Sequence, residues 1–290
     1  MQPSPERGWL RRIAVFVGFL LLIAVAWEGL KFIGGDPWRG DGWEWRPPLR
    51  IWFASDLLLP HLWDIWGALA NPVQRNSEQS LAQFLVGAAF YTWREAAIGF
   101  LLGAMIGITL AAAFVHSRLL ERAFVPYVIA SQTIPIVALA PMVVFAFGPS
   151  VTSVVIIATY LTFFPVTIAM IRGLRSPDPR ALELMRSYAA SRWNVFWKLR
   201  MPASLPYLFT ALKISATASI VGAIVGEGPG GIPDGLGRAI VNFNTQYITG
   251  PEKLWATILA CAILGIAFFA IIRTVELLVL RSRGMRTEAA

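Results

Sequence analysis

The sequence is most constrained by a stretch of 49 residues, Ala123 to Ile171, that contains no charged side chain. A helix crosses the hydrocarbon core of a membrane in about 20 residues, so this stretch is too long for one helix. Gly148-Pro149-Ser150 divides it and is typical of a tight turn. The stretch therefore predicts two membrane-spanning helices joined by an outer turn. Pro135 and Pro141 lie inside the first helix, and the carbonyls that they free need partners within protein.

Four further apolar stretches are long enough to span a membrane: Ile13 to Ile33, Ala96 to Val115 with an alternative start near Leu81, Ala203 to Gly226, and Leu254 to Ile272. Gly99, Gly103 and Gly107 repeat at a spacing that lets two helix backbones approach closely. Ala24-Val25-Ala26 also resembles a signal-peptide cleavage site, and that alternative stays open. The chain is 56% hydrophobic and 14% charged, whereas a soluble domain is about 25% charged.

The basic residues fall in the gaps between the apolar stretches, which is the pattern of loops on the cytoplasmic side of a membrane. The net charge of +8 is therefore attributed to topology and not to nucleic-acid binding. One cysteine and two histidines favour neither a disulfide framework nor a metal site. We predict an all-α integral membrane protein with six transmembrane helices and both termini in the cytoplasm.

The chain is divided into a cytoplasmic N-terminus (1–12), a first transmembrane helix with an outer loop (13–80), a five-helix core (81–280) and a cytoplasmic tail (281–290). The outer loop holds six of the twelve tryptophans, which favour the membrane interface. It is interpreted as a loop with a short interfacial helix near Leu57 to Leu69, or as an ordinary small folded loop. Residues 226–237 are Gly-rich, lack the Lys-Ser/Thr of a phosphate-binding loop and predict a flexible outer loop.

Residues 172–200 interrupt the apolar core with seven basic and two acidic side chains. Asp178 and Pro179 are typical of a helix start, and we predict a helix from Pro179 to Tyr188. Ser191 is expected to cap a second helix, Arg192 to Arg200, which ends near Pro202. Tyr188, Trp193, Phe196 and Trp197 add an apolar face. Physical chemistry alone leaves two interpretations: a helix pair lying on the inner membrane surface, or a docking element for a soluble partner.

Loop 173–202 resembles the cytoplasmic EAA loop of ABC-importer permeases. Glu183-Leu184-Met185 stands where that pattern begins, Ala189 occupies its glycine position, and Leu199-Arg200-Met201-Pro202 closes it at the full spacing. Alanine costs about 1 kcal/mol if the bend needs a left-handed residue there, and nothing if the bend is plain helix. About residues 80 to 280, including Ser191 to Glu227 and Ala130 to Gly148, resemble the nitrate/sulfonate/taurine group of these permeases.

The resemblance implies a type I importer of the bacterial inner membrane, built from two permease copies, two cytoplasmic ATPases and an external substrate-binding protein. The sequence lacks a G-x-x-x-x-G-K-[ST] motif, so the chain is expected not to be an enzyme, and ATP and magnesium belong to the partner. The residues expected to couple the permease to the ATPase are Glu183, Arg186, Ser187, Tyr188, Ala189, Ala190, Ser191, Arg192 and Pro202.

Seven polar residues in the predicted spans are candidates for the translocation path, with packing roles as the alternative: Gln132, Thr133, Thr159, Thr162, Ser215, Thr217 and Ser219. Glu227 is expected either to contact the binding protein or to be a solvated helix end. The resemblance leaves the substrate among nitrate, sulfonates, taurine and aromatic vitamin precursors such as pyrimidines or riboflavin. The competing classes are a secondary transporter, which needs an intramembrane ionisable residue, and a membrane-embedded enzyme, which needs clustered His, Asp or Glu.

Overall fold

A computed structural model describes residues 5–40, 43–74, 77–228 and 232–282. The helices are α1 (Pro5–Gly34), α2 (Leu62–Ala70), α3 (Leu81–His116), α4 (Arg118–Ser131), α5 (Ile136–Phe147), α6 (Val151–Leu174), α7 (Pro179–Ser187), α8 (Arg192–Val195), α9 (Met201–Glu227), α10 (Leu236–Thr245) and α11 (Pro251–Ser282). Strands β1 (Trp38–Gly40) and β2 (Trp43–Trp45) form an antiparallel hairpin. The chain divides into two compact units, residues 1–84 with 242–256 and residues 85–241 with 257–290.

Polar contacts tie α1 to the segment before α2 in the first unit. Lys31 is fully buried; its Nζ forms an ion pair with Asp56 and donates to the Leu59 carbonyl at 2.6 Å. Glu28 lies one helical turn earlier and accepts from the Leu62 N–H at 2.8 Å, while its other oxygen is 2.7 Å from His61 Nδ1. A buried charge is tolerated when it is paired in this way. The two charges that end the first apolar stretch therefore anchor the tryptophan-rich segment.

The tryptophan-rich segment is a small folded structure, one of the two interpretations left open by the sequence. The Phe32 ring stacks on Trp45 with centroids 4.6 Å apart, and the His61 ring stacks on Trp63 at 4.0 Å. A short helix is present at the predicted place as α2, although it begins five residues later than expected, and its position at the membrane interface stays a prediction. Trp63 and Trp66 on this helix are 52% and 70% exposed, as expected for rings at a membrane interface.

Small residues bring α3 against α6 in the second unit, and the glycine spacing had predicted such a close approach without its partner. An added Cβ at Gly99 would lie 2.4 Å from Ala158 Cβ, and one at Gly103 would lie 2.5 Å from Thr162 Cβ. Gly107 meets Val166 in the same way at 2.9 Å. Helices in a membrane associate largely through such close packing, because lipid gives no hydrophobic drive for one helix to contact another.

Helices α6 and α9 form the centre of the second unit. Their buried side chains include Val166, Met170 and Leu174 on α6 and Leu208 on α9, and they form one core cluster with Phe196. Lys213 of α9 reaches Glu276 of α11, with Nζ 2.7 Å from the carboxylate. An ionisable pair inside two apolar helices is stable when each charge neutralises the other.

The predicted first helix of the uncharged stretch is broken, and α4 and α5 meet at an angle of 99°. Pro135 cannot donate a backbone hydrogen bond, and it stands in extended conformation as the N-cap of α5. Pro141, by contrast, lies within α5. The turn predicted at Gly148-Pro149-Ser150 is present, with Gly148 at φ +77° and α6 beginning at Val151.

Five helices among the described residues are long and apolar enough to cross a membrane, and the bent pair of α4 and α5 makes a sixth if it counts as one span. The five segments are Ala14–Gly34, Leu81–His116, Val151–Leu174, Arg192–Glu227 and Pro251–Ser282. The all-helical membrane architecture is therefore present. The count of six depends on how the 99° break is placed in the bilayer.

Candidate functional site

Helix α7 of loop 173–202 begins and ends as its sequence predicts. The Asp178 carboxylate accepts the Arg180 N–H at 2.8 Å, which satisfies one of the free donors of the first turn. Pro179 follows at the first helical position, where its missing N–H has no cost. The helix ends at Ser187, one residue before the predicted end.

The bend after α7 is a left-handed helix cap. The Ala189 N–H donates to the Arg186 carbonyl at 2.9 Å, and the Ala190 N–H donates to the Met185 carbonyl at 3.0 Å. This pair of hydrogen bonds is the Schellman motif, which places one residue in the left-handed region and usually uses glycine. Ala189 is that residue, at φ +48°, and is the sole non-glycine with positive φ among the described residues. The bend is therefore not plain helix, which answers the question raised by alanine at this position.

The second half of the loop starts as predicted and continues further. The Ser191 hydroxyl accepts the Asn194 N–H at 3.2 Å and caps α8. The predicted helix end near Pro202 is wrong, because the helix passes through a π turn, Phe196–Arg200, directly into α9. Pro202 lies in the first turn of α9, and a π turn just before it relieves the clash and the missing hydrogen bond of a mid-helix proline.

Loop 173–202 has one buried anchor and a row of uncovered apolar side chains. Phe196 is 5% exposed and belongs to the core of the second unit, while Leu184, Tyr188, Trp193 and Trp197 are 57%, 77%, 65% and 49% exposed. A loop that contacts only water does not need four large exposed apolar side chains. Such apolar patches mark surfaces that contact a partner or a membrane.

The charged residues predicted for the same role surround this patch. Glu183, Arg186 and Arg192 are exposed, and Ser187 is engaged locally, its hydroxyl donating to the Leu184 carbonyl at 2.8 Å. Charged groups at the edge of an apolar contact surface fix its orientation more than its affinity. The arrangement suits a docking surface with an apolar centre and a polar rim.

The predicted path residues fall into two groups. Gln132, Thr133 and Thr217 are exposed within the chain, and for them a place on the path stays a prediction. Thr162, Ser215 and Ser219 are fully buried, and their hydroxyls donate to the carbonyls of Ala158, Thr162 and Ala216. Thr159 is half-buried. The hydrogen bond from Ser215 to Thr162 joins α9 to α6, and the other two lie within their own helices. All three agree with the packing alternative.

Glu227 lies inside the second unit and not on its surface. Its carboxylate is fully buried and accepts the Gly237 N–H at 2.6 Å, while the fully buried Thr92 hydroxyl accepts the neighbouring Leu236 N–H at 2.9 Å. These two side chains satisfy the first free donors of α10. Contact of Glu227 with a binding protein stays a prediction, and it requires α10 to move away from the carboxylate.

A second buried acid next to Glu227 was not among the predicted site residues. Glu95 on α3 is fully buried beside Glu227. The sequence signal for it was the presence of two adjacent charges, Arg94 and Glu95, within the 36 residues of the otherwise apolar helix α3. An ionisable side chain in such a helix is a candidate for function. Ionisable side chains are therefore present in α3, α9 and α11.

Comparison with known proteins places this chain in a family. Residues 99–281 match the family described as the binding-protein-dependent transport system inner membrane component. In the crystal structure of an amino acid ABC transporter with histidines, one chain shares the fold at a TM-score of 0.56 and 16% identity, covering 67% of this chain and 94% of that one.

Three curated relatives are transport permeases with different named substrates. The formylaminopyrimidine transport permease protein ThiX of Halalkalibacterium halodurans is 38% identical over 62% of this chain and 70% of its own length. The riboflavin transport system permease protein RibX of Chloroflexus aurantiacus is 31% identical over 57% and 61%. The putative aliphatic sulfonates transport permease protein SsuC of Bacillus subtilis is 27% identical over 81% and 90%. Because the family match covers more than half of the chain, this protein belongs to the binding-protein-dependent transport system inner membrane components, the multi-pass permeases of ABC transporters.

Proposed function

We propose that the chain is the permease subunit of an importer for a small organic solute, and that loop 173–202 couples it to a cytoplasmic ATPase. The observation that carries the coupling role is the uncovered apolar row at the left-handed bend, where Tyr188 is 77% exposed beside Ala189. A groove on an ATPase that covers Tyr188 and Leu184 removes this apolar area from water. Glu183, Arg186 and Arg192 then lie at the rim of the contact.

Loop 173–202 contacts the membrane helices α6 and α9 in ways that would transmit a displacement of the loop to them. Phe196 packs into the core cluster that contains α6 and α9, and Arg200 Nη1 donates to the Leu174 carbonyl at the end of α6 at 2.9 Å. The loop also continues without interruption into α9. Pulling Tyr188 toward a closing ATPase therefore moves both central helices. In the proposed cycle this motion, made by two permease copies together, opens the path outward.

For the substrate we favour a pyrimidine-like vitamin precursor over an inorganic anion. The support is the relative named for formylaminopyrimidine transport, which is 38% identical, against 27% for a nitrate import permease protein from Leptolyngbya laminosa. Selectivity in this proposal lies largely with the external binding protein. The exposed Gln132, Thr133 and Thr217 remain the candidates for the path between the two permease copies.

The test is transport in proteoliposomes that hold this chain with its ATPase and binding protein. Tyr188→Asp places a charge in the apolar contact and is expected to reduce transport at least tenfold, since a buried unpaired charge costs several kcal/mol. Tyr188→Phe keeps the ring and is the matched control, with transport close to that of the unchanged protein. Equal transport by the Asp variant would reject the coupling role, and transport that persists without any ATPase would favour a secondary transporter.

A further inference from the structure

A cleft in the second unit is lined by four arginines and one acid. Arg118 and Arg122 on α4, Arg175 after α6, and Arg200 before α9 line a cavity of about 400 Å³ together with Glu121. Arg175 forms an ion pair with Glu121, and Arg200 Nη1 donates a hydrogen bond to the Leu174 carbonyl. Among the described residues, Glu121 forms an ion pair with Arg175 alone, and neither Arg118 nor Arg122 forms an ion pair. The cleft therefore carries three more positive than negative charges.

Such an excess of charge favours an anion with several oxygen atoms. Guanidinium groups that converge on one space repel each other, and a bound anion relieves that repulsion. Their planar, forked N–H groups match the oxygens of a phosphate better than a point charge does. The four arginines come from three separate parts of the chain, so the fold and not local sequence brings them together.

The surroundings of the cleft distinguish a lipid from a soluble phosphate. Val115 and Leu182 line the cleft beside the arginines. On the turns of α4 that follow Arg118, Leu119, Phe124 and Tyr127 are 79%, 52% and 74% exposed. A phospholipid has a charged headgroup and apolar acyl chains. The arginine cleft suits the headgroup, and the exposed apolar side chains of α4 beside it suit the acyl chains.

We propose that this arginine cleft binds the phosphate headgroup of an anionic phospholipid in the cytoplasmic leaflet. The proposal rests on the proposed function for its orientation, because loop 173–202 places the cleft on the cytoplasmic side. Basic pockets between membrane helices on that side are suited to anionic headgroups. The lipid would bridge α4, the end of α6 and the loop, and so hold the proposed coupling loop in place.

The experiment counts bound lipid on the full chain purified with its native partners. Complexes are placed in nanodiscs of phosphatidylcholine and phosphatidylglycerol, and native mass spectrometry measures which lipid stays bound. The unchanged protein is expected to retain phosphatidylglycerol preferentially. In Arg118→Gln with Arg122→Gln the preference is expected to fall about fivefold for each arginine removed.

The control removes the same charge elsewhere. Arg180→Gln with Arg281→Gln changes two exposed arginines that do not line the cleft and should leave the preference unchanged. A loss of preference in this control, or an equal preference in the cleft variant, would reject the proposal. Arg118→Lys with Arg122→Lys keeps the charge, and a partial loss of preference would confirm that the guanidinium shape contributes.

Two further outcomes separate this proposal from others. Displacement of the bound lipid by millimolar inorganic phosphate would reject the lipid and assign the cleft to a soluble phosphate compound. Lipid retention is measured without transport or ATP hydrolysis. A failed coupling role and a failed lipid site are therefore told apart, because Tyr188→Asp should not change lipid binding.

Discussion

At the scale of single residues, Ala189 occupies a left-handed position in the bend after α7 where glycine is usual. A left-handed alanine costs about 1 kcal/mol relative to glycine, because its Cβ crowds the backbone. Ala189→Gly is therefore expected to raise the thermal stability of the purified permease by up to this amount. Ala190→Gly is the matched control, since Ala190 does not have a positive φ. There glycine only adds freedom to the unfolded chain and should lower stability. A lower melting temperature for Ala189→Gly than for the control would contradict the cap.

Gly235 is required by the buried carboxylate of Glu227. Its φ is +99°, and an added Cβ would lie 2.4 Å from the carboxyl carbon of Glu227. Gly235→Ala is expected to cost about 1 kcal/mol for the backbone and about 1–3 kcal/mol more for overpacking. Gly148 is the control, because it has φ +77° and nothing lies within 4 Å of an added Cβ there. Gly148→Ala should show the backbone cost alone, and equal losses in both variants would argue against the contact with Glu227.

The capping residues of loop 173–202 were predictable, whereas the state of Ala189 was not. Asp178 and Ser191 accept hydrogen bonds from backbone N–H groups two and three positions further along the chain. Caps at such short spacings can be predicted from sequence. The φ of Ala189 depends on which carbonyls the cap reaches, and both helical and left-handed bends satisfy the same residue pattern. Only the pair of hydrogen bonds to Met185 and Arg186 decides between them.

At the scale of elements, the close approach of α3 to α6 makes a sharp prediction. Gly103→Leu inserts a side chain where Thr162 already lies within 2.5 Å of the Cβ position, so overpacking should cost about 1–3 kcal/mol. Gly87→Leu on the same helix is the control, because nothing lies within 4 Å of its Cβ position. Thermal unfolding in detergent compares the two variants. Similar melting temperatures would show that the two helices do not pack through Gly103.

The helix boundaries show where sequence reasoning succeeds and where tertiary structure decides. Glycine spacing predicted that α3 approaches another helix closely, whereas the structure shows that the partner is α6. The effect of the prolines on helix boundaries was harder to predict, because proline occurs in three different local structures in this chain. Pro135 marks the 99° break, Pro141 stays within a helix, and Pro202 begins α9 after a π turn. Each outcome depends on which neighbour satisfies the freed carbonyl, and that neighbour is distant in sequence.

At the scale of the whole molecule, the contacts that sequence could not supply are those between separate helices. Thr92 and Glu227 meet the start of α10 from two different helices, and the arginine cleft joins three parts of the chain. Composition predicted a membrane protein, because most of the charge lies in the gaps between the spans, and the resemblance of loop 173–202 to the EAA loop predicted a permease. It could not show which buried charges find partners, because partners such as Lys213 and Glu276 are 63 residues apart.

The side of the membrane reached by the turn at Gly148 to Ser150 decides between five and six spans. We expect α4 and α5 to form one broken span, so that Pro149 lies outside and loop 173–202 lies inside. Single cysteines at exposed positions, Glu44→Cys, Pro149→Cys and Arg180→Cys, are placed in a Cys261→Ala background. A membrane-impermeant maleimide added to intact cells should label positions 44 and 149 but not 180, and inside-out vesicles should reverse the pattern. Labelling of position 180 but not of position 149 in intact cells would make the bent pair a re-entrant loop, because α6 crosses the membrane between the two positions. The described spans would then number five, and α11 would end on the outer side of the membrane instead of the cytoplasmic side.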